Sequence, residues 1–239
     1  MKWLYGGYAV IVSILLLTAL KVVDPTPLQN LRNQTFDSYQ QLDEIKQSDN
    51  VVLINIGENT LEKYGQYPFP RQYYAQMVID LATKNSGVTG WTIMFPEEDR
   101  FQGDESFAGI LQQNVVNVPG ARRNPINYNV LSQTPSSKGI KTSGPHIGTG
   151  TIGPVPATEY LLTWRNLVTN IPILETVVNG KGVNASAPQP DNQTRTYPLA
   201  IGVEGKIYPS FAIEMLRVKN GQKSYKIKTS EIGIQELMI

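Results

Sequence analysis

The sequence contains no cysteine and only one histidine among its 239 residues. The absence of cysteine excludes disulfides, cysteine-ligated zinc and thiol catalysis, and it leaves the redox compartment undetermined. A single histidine excludes metal sites built on a histidine pair, such as the H-E-x-x-H zinc motif. This histidine, His146, lies in a glycine-rich polar stretch, so we expect a solvated side chain there rather than a functional one.

The sequence also lacks an excess of either charge. It has 21 lysines and arginines against 20 aspartates and glutamates, which gives a formal net charge of +1. Because no basic face interleaved with aromatic residues is visible, we do not expect nucleic-acid binding. Hydrophobic residues make up 41% of the chain. This length and composition suit one globular domain with a core of ordinary size.

One long apolar run is present, from Trp3 to Leu20, and it carries no charge. It is long enough to cross a bilayer as a helix, and aromatic residues cluster at one end of it. A cleaved signal peptide beginning at Lys2 is the alternative interpretation. No small-x-small cleavage site follows the run, which favours an uncleaved membrane anchor over residues 1–23. The distribution of lysine and arginine does not decide its orientation.

The remaining chain alternates predicted helices and strands. Residues 24–48 begin with prolines and then become helix-like, which predicts a juxtamembrane helical segment. Helical patterns also follow at residues 58–65, from Pro70 toward Gly87, and after an acidic loop in which Asp104 is a plausible N-cap. Apolar runs bounded by turn-forming residues predict buried strands at Asn50–Gly57, Val88–Phe95 and Val115–Gly120.

Residues Arg122–Thr158 interrupt this alternation, because they are rich in glycine, proline and small polar residues. They predict one long polar excursion. Two alternating runs joined at Glu204-Gly205 then predict a hairpin, followed by a helix that opens near Pro209. The expected fold class is α/β, with a mostly parallel or mixed sheet flanked by helices and a C-terminal hairpin–helix unit.

The segment Tyr67-Pro68-Phe69-Pro70-Arg71, here called the elbow, precedes a helical pattern. Each proline fixes its own φ and forces the preceding residue to be extended, and Pro70 suits the first position of a helix. We therefore predict a rigid turn with Phe69 or Tyr67 under the first helical turn. Arg71 either binds an anion there or, as we expect, is solvated or hydrogen-bonded locally.

Few residues of the sequence indicate a catalytic, metal-binding or ligand-binding site. Glu97, Glu98 and Asp99 follow a predicted strand end, where ligands bind in open α/β sheets. A cation or amine site is one interpretation, and a solvated acidic loop is the favoured one. The stretch Gly148–Pro154 resembles a phosphate loop only superficially, because it lacks the lysine. We expect no metal, no cofactor and no catalytic residues.

Several motifs, in a consistent order from Leu31 to Val218, resemble those of the CHASE2 domain, an extracytoplasmic sensor module. They include the stretches FDSYQQL, VVLINIGENTLEKYGQYPFPRQYYAQMVIDL, GWTIMFPEED and YPSFAIEML. The elbow matches a W-P-W-P-R-like family motif. Phe36 and Asp37 match an F-D motif, and Asp191 and Arg195 match a D-x-D-G-x-x-R segment. The resemblance implies that residues 49–239 form the sensor domain.

The departures from the family pattern concern carboxylates. Asn55 and Gly57 stand where the first strand of the family ends in acidic residues, and Thr92 stands where the second strand carries an aspartate. The ligand-binding candidates are therefore weak: Asn55, Thr92, Glu97 and Asp99. We also expect Arg71 to brace the elbow against a carboxylate such as Asp37 or Asp191.

The resemblance implies a membrane-anchored, extracytoplasmic sensory or ligand-binding domain without catalysis of its own. It would lie at the cytoplasmic (inner) membrane, as a homo-oligomer or in a larger assembly, and respond to an unknown small-molecule stimulus. Cyclase or kinase output domains of the family would lie outside these residues. The alternative is a degenerate fold used as a structural or partner-binding protein. An extracytoplasmic enzyme is least favoured, since no nucleophile-and-base set is found.

Overall fold

The computed structural model describes residues 2–43, 48–113, 126–137, 149–186 and 191–239. Its residues group into two compact units. The first comprises Met1–Asn55 with Pro188–Arg195, and the second comprises Ile56–Ala187 with Thr196–Ile239. His146 and the strand expected at Val115–Gly120 lie outside the described residues.

The first unit contains two helices, α1 (Lys2–Val23) and α2 (Thr26–Leu42). No single helix in the described part of the chain is long and apolar enough to span a membrane. The pair Val10–Val23 and Thr26–Leu42 meets that requirement only jointly, across a bend of 81°. Pro25 lies at the bend and caps α2 without a side-chain hydrogen bond.

The strand expected at Asn50–Gly57 is wrong, because these residues form no helix or strand. Four consecutive apolar side chains are exposed instead, with exposed fractions of 72%, 84%, 89% and 53% for Val51, Val52, Leu53 and Ile54. A continuous apolar run indicates a preference for burial, but burial as a strand also requires a neighbouring strand. We call Val51–Ile54 the exposed run.

The second unit holds most of the regular structure. Its helices are α3 (Glu58–Tyr64), α4 (Arg71–Thr83), α5 (Asp104–Gln112), α6 (Pro172–Glu175) and α7 (Phe211–Lys219), with a 3-10 turn at Ala157–Glu159. Its strands are β1 (Gly87–Trp91), β2 (Asn127–Ser136), β3 (Thr149–Ile152), β4 (Thr163–Trp164), β5 (Asn166–Val168), β6 (Gly180–Val183), β7 (Ala200–Val203), β8 (Lys206–Pro209), β9 (Tyr225–Ser230) and β10 (Gly233–Met238). The expected α/β class and the C-terminal hairpin–helix unit, β7–β8–α7, are confirmed.

The described strands form three small mixed sheets. In the first, β2 pairs in parallel with β1 and β6 and antiparallel with β5. In the second, β9 pairs antiparallel with β10 and in parallel with β3. In the third, β7 pairs in parallel with β4 and antiparallel with β8. The sheet is thus mixed rather than mostly parallel.

The polar stretch Arg122–Thr158 contains β2, the longest of the described strands, which contradicts the excursion expected over residues 127–136. Its sequence, NYNVLSQTPS, has few apolar residues, yet Asn127, Asn129, Ser132 and Gln133 are all buried. The Asn127 and Asn129 side chains are hydrogen-bonded within the fold, whereas Ser132 Oγ and Gln133 Oε1 are buried without a partner in the described structure. Asn129 accepts from Trp91 Nε1 at 3.0 Å and donates to Asn127 Oδ1 at 2.9 Å. The polar composition of this stretch therefore led to the prediction of a loop where the structure has a central strand.

The main core of this unit is aromatic and lies between α4, α5 and the first sheet. Tyr74, Trp91, Phe95 and Phe107 are almost fully buried, and their rings meet mainly edge-to-face at centroid distances of 5.3–6.4 Å. Such pairs are stabilising beyond the area they bury. This core holds the first turn of α4, and therefore the elbow, against the end of β1.

Helix α7 packs closely on the opposite side of the first sheet. A Cβ added at Gly182 would lie 2.5 Å from Phe211 Cα, and one added at Gly180 would lie 2.5 Å from Glu214 Oε1. The contact at Gly182 would be with the Phe211 backbone, which cannot move aside as the end of a flexible side chain can. Glycine in β6 is therefore what allows the start of α7 to approach the sheet.

Candidate functional site

The helix that follows the elbow begins one residue later than expected. Pro70 is the N-cap of α4, with φ −54° and ψ 141°, and the helix begins at Arg71. Phe69 is buried and Tyr67 is half exposed, so Phe69 is the aromatic residue beneath the first turn. The peptide bond between Tyr67 and Pro68 is cis.

Arg71 is buried at the start of α4 and is bonded on several sides. Its Nε donates to Asp104 Oδ1 at 2.9 Å, and an Nη2 group donates to the Glu97 carbonyl at 2.8 Å. The guanidinium carbon also lies 4.5 Å from the centre of the Phe95 ring. The prediction that Arg71 pairs with Asp37 or Asp191 is wrong. Arg71 is hydrogen-bonded locally and ties the elbow to the loop after β1.

The acidic loop supports the elbow. Asp99 Oδ2 accepts from the Arg71 backbone N–H at 3.2 Å and from the Gly103 N–H at 3.1 Å, and its own N–H donates to Asp104 Oδ2 at 2.7 Å. The N-cap of α5 is Gly103 rather than Asp104, which is the first helical residue. Asp104 therefore serves the ion pair with Arg71 instead of capping its own helix.

The four ligand-binding candidates lie in both units, with Asn55 in the first and Thr92, Glu97 and Asp99 in the second. Asp99 is engaged in the elbow, while Asn55, Thr92 and Glu97 have exposed side chains. In the described ranges, no three histidine, cysteine, aspartate or glutamate side chains are placed to hold a metal ion. The expectation of a weak site at these residues stays a prediction.

Three motif residues of the first unit, Asp37, Asp191 and Arg195, form one hydrogen-bonded cluster. The guanidinium donates from Nε and Nη2 to the two Asp37 oxygens at 2.7 and 2.6 Å, and from Nη1 and Nη2 to the two Asp191 oxygens at 3.0 and 2.8 Å. Phe36, beside Asp37, is half exposed. This bidentate geometry on both sides joins α2 to the Pro188–Arg195 segment.

The interactions around Arg195 favour the charged forms of Asp37, Asp191 and Arg195. Hydrogen bonds from Arg195 hold the pKa of the Asp37 and Asp191 carboxyls below the ordinary value of 3.8, and the two carboxylates raise the pKa of Arg195. Stability from this cluster is therefore present above the unfolded pKa of aspartate, near 4, and is lost as the pH falls through the lowered folded values. At neutral pH the cluster is fully charged.

A buried polar cluster that the sequence analysis missed lies at the end of β2. The Glu175 carboxylate, with no exposed side-chain surface, accepts from Gln133 Nε2 at 2.9 Å and from the Asn170 N–H and Nδ2 at 3.0 Å. Lys181 Nζ lies 3.2 Å from it. Gln133 Oε1 is buried without a hydrogen-bond partner in the described structure. Such an acceptor is normally met by water or by a donor of a ligand.

A second buried ion pair fixes α7. Glu214 accepts from Arg217 Nε at 2.8 Å and from the Lys181 N–H at 3.1 Å, and Arg217 also donates to the Asn179 carbonyl at 2.9 Å. The adjacent Tyr225 ring is buried, and burial raises the pKa of its hydroxyl. Glu214 and Arg217 satisfy one another and support the fold, whereas the Tyr225 hydroxyl is buried without a hydrogen-bond partner in the described structure.

One cavity of about 360 Å³ opens in the second unit, in the size range of small-ligand sites. It lies beside β10, over the buried Ile227 side chain. Its walls are mainly apolar and come from three stretches: Tyr160–Leu162, Pro198–Ala200 and Ile234–Leu237. We call it the β10 cleft. No sequence motif marks it, because its lining residues are short apolar stretches far apart in the chain.

Comparison with known proteins gives one match. The family model of the CHASE2 domain matches residues 9–238, which is nearly the whole chain. No curated protein and no solved structure matches the chain significantly.

Proposed function

Because the chain belongs to the CHASE2 domain family, a family of extracytoplasmic sensory domains, we propose that it is a membrane-anchored sensory domain without catalysis of its own. The match over residues 9–238 is the observation that carries this proposal. In this role the second unit lies outside the cytoplasmic membrane and receives the stimulus, and the first unit holds it at the membrane.

The first unit supports the anchoring part of the proposal. Described side chains of α1 are exposed and apolar along most of the helix, including Val10, Ile11, Leu15 and Leu17. In water such a helix exposes apolar surface without compensation, whereas in a bilayer the same surface is stabilised. The Arg195 cluster then ties the adjoining helix α2 to a later segment of the chain.

The second unit supports a binding rather than a catalytic role. Its buried charged groups Arg71, Glu175, Glu214 and Arg217 are engaged in ion pairs or hydrogen-bond networks. The β10 cleft offers an apolar surface with the Gln235 and Glu236 side chains at its border.

The second candidate function is that of a structural or partner-binding protein. The exposed Asn55 and Thr92 side chains favour it, because they replace carboxylates that the family places at the strand ends. A domain that has lost those carboxylates can still bind a partner protein through its surface. Further membrane spans and an output domain after Ile239 in the reading frame favour a receptor, and a stop soon after it favours an assembly protein.

Site-selective labelling in cells tests the proposed orientation. The chain has no cysteine, so each variant carries one thiol. Lys223→Cys, at an exposed position of the second unit, should react with a membrane-impermeant maleimide in intact cells. Lys2→Cys, on the opposite side of the span, should react only after permeabilisation. The unsubstituted chain is the control for background. Labelling of Lys223→Cys only after permeabilisation would contradict an extracytoplasmic domain.

A further inference from the structure

The second and third sheets pack against each other around a small apolar core. Its buried members are Ala157, Ala200, Ile207 and Ile227, and two of these four are alanines, which fill little volume. The β10 cleft, of about 360 Å³, opens on this core, with Ala200 and Ile227 in its lining. Every lining residue belongs to the second unit, so the cleft is defined within that unit alone.

The pairing of β9 with β10 decides which side chains face the cleft. Leu237 is opposite Ile227, and Ile227 is buried, so both lie on the inner face of the second sheet. Glu236 is opposite Lys228, and both are exposed on the outer face. Glu236 is the only charged residue among those that line the cleft. None of the lining residues therefore directs a charge toward the cleft floor.

Hydrogen-bonding side chains are also few in the cleft lining. The Tyr160 hydroxyl donates to the Ser230 and Glu231 carbonyls at 3.0 and 3.1 Å, so it is already engaged in the fold. Gln235 lies at a register shift in the β9–β10 pairing, and a bulge of this kind leaves one residue outside the ladder. Gln235 is therefore the lining residue best placed to offer a hydrogen bond to a ligand.

We propose that the β10 cleft binds an uncharged, mainly apolar small molecule, with one polar group directed at Gln235, as the stimulus of the sensory domain. Small-ligand sites are concave and mostly apolar, with a few polar groups that fix orientation. A charged ligand would lose its hydration in the cleft without meeting an opposite charge there, which is unfavourable. This inference rests on the proposed sensory role and names the class of its ligand.

Binding of indole to the full chain in lipid nanodiscs tests the proposal, because indole is uncharged, apolar and carries one N–H donor. Saturation-transfer difference NMR measures the dissociation constant, and protein-free nanodiscs give the background from partition into lipid. Leu162→Trp, which enlarges a side chain of the cleft wall, should raise this constant at least tenfold. Leu216→Trp is the matched control and should leave it unchanged, since Leu216 is similarly exposed (47% against 49%) and does not line the cleft.

A charged analogue tests the ligand class on the unsubstituted chain, so this arm stands even if Leu162→Trp does not fold. Indole-3-acetate should bind at least tenfold more weakly than indole. Absence of saturable indole binding, equal binding by folded Leu162→Trp and Leu216→Trp, or equal binding of indole-3-acetate would overturn the proposal. These results leave the labelling test of membrane orientation unaffected, so the ligand class and the sensory role fail separately.

Discussion

At the scale of single residues, two arginines organise the molecule. Arg71 is buried and Arg195 is half-buried. Arg71 is bonded to Asp104 in the second unit, and Arg195 is bonded to Asp37 and Asp191 in the first. A planar guanidinium binds carboxylates in a bidentate or branched fashion that lysine does not reproduce. This explains why the motifs of the sequence place arginine at both positions.

Replacement of Arg71 by alanine should lower the free energy of unfolding by about 3 kcal/mol, because it leaves the partly buried Asp104 carboxylate without its cation. Urea unfolding followed by circular dichroism measures this change. Arg100→Ala, at an exposed position of the same loop, is the matched control and should cost less than about 0.5 kcal/mol. Similar losses for both variants would show that Arg71 has no special role in the elbow.

At the scale of elements, the polar strand β2 is the unexpected component. It lies between β1 and β6 in the first sheet although four of its side chains are polar and buried. The Asn129 side chain accepts from Trp91 Nε1. Asn127 Nδ2 donates to the Gln113 carbonyl, and the Asn129 backbone N–H donates to Asn179 Oδ1, so these bonds link β2 to other parts of the fold. A satisfied polar network of this kind specifies register, since a slip by one residue would orphan every partner.

Replacement of Asn129 by leucine tests this explanation. The variant leaves the Trp91 Nε1–H and the Asn127 Oδ1 buried without partners, so the free energy of unfolding should fall by about 3 kcal/mol. Thermal and urea unfolding measure the loss. Tyr128→Phe, at the neighbouring and less buried position of the same strand, should change it little. A neutral Asn129→Leu variant would mean that burial of apolar surface alone holds β2.

At the scale of the whole molecule, the chain combines an apolar N-terminal helical unit with an α/β unit. The first is dominated by exposed apolar side chains, and the second has three clusters of buried hydrophobic residues. This contrast in surface chemistry is what the proposed membrane anchoring would require of the first unit. The family match extends across both units.

We predict that the apolar run Trp3–Leu20 is retained as a membrane helix rather than removed as a signal peptide. Its lack of charge makes bilayer insertion favourable, and no suitable cleavage site follows it. Intact-mass analysis of the protein purified from the membrane fraction should return a mass that still includes the apolar run. A mature protein that begins shortly after Ala19 would contradict the anchor.

The sequence by itself determined the family, the α/β class and the elbow, and it singled out Asp37, Asp191 and Arg195 as motif residues without predicting that they pair with one another. These depend on local patterns and on ordered motifs, which are visible in one dimension. Only the tertiary structure decided that Arg71 pairs with Asp104 and that Gln133 meets Glu175, residues separated by 33 and 42 positions. It alone placed the polar strand β2 inside the sheet and left the apolar exposed run outside it. The physical reason is that burial depends on partners: buried polar residues are stable when distant groups satisfy them, and apolar residues remain exposed when no described strand lies beside them.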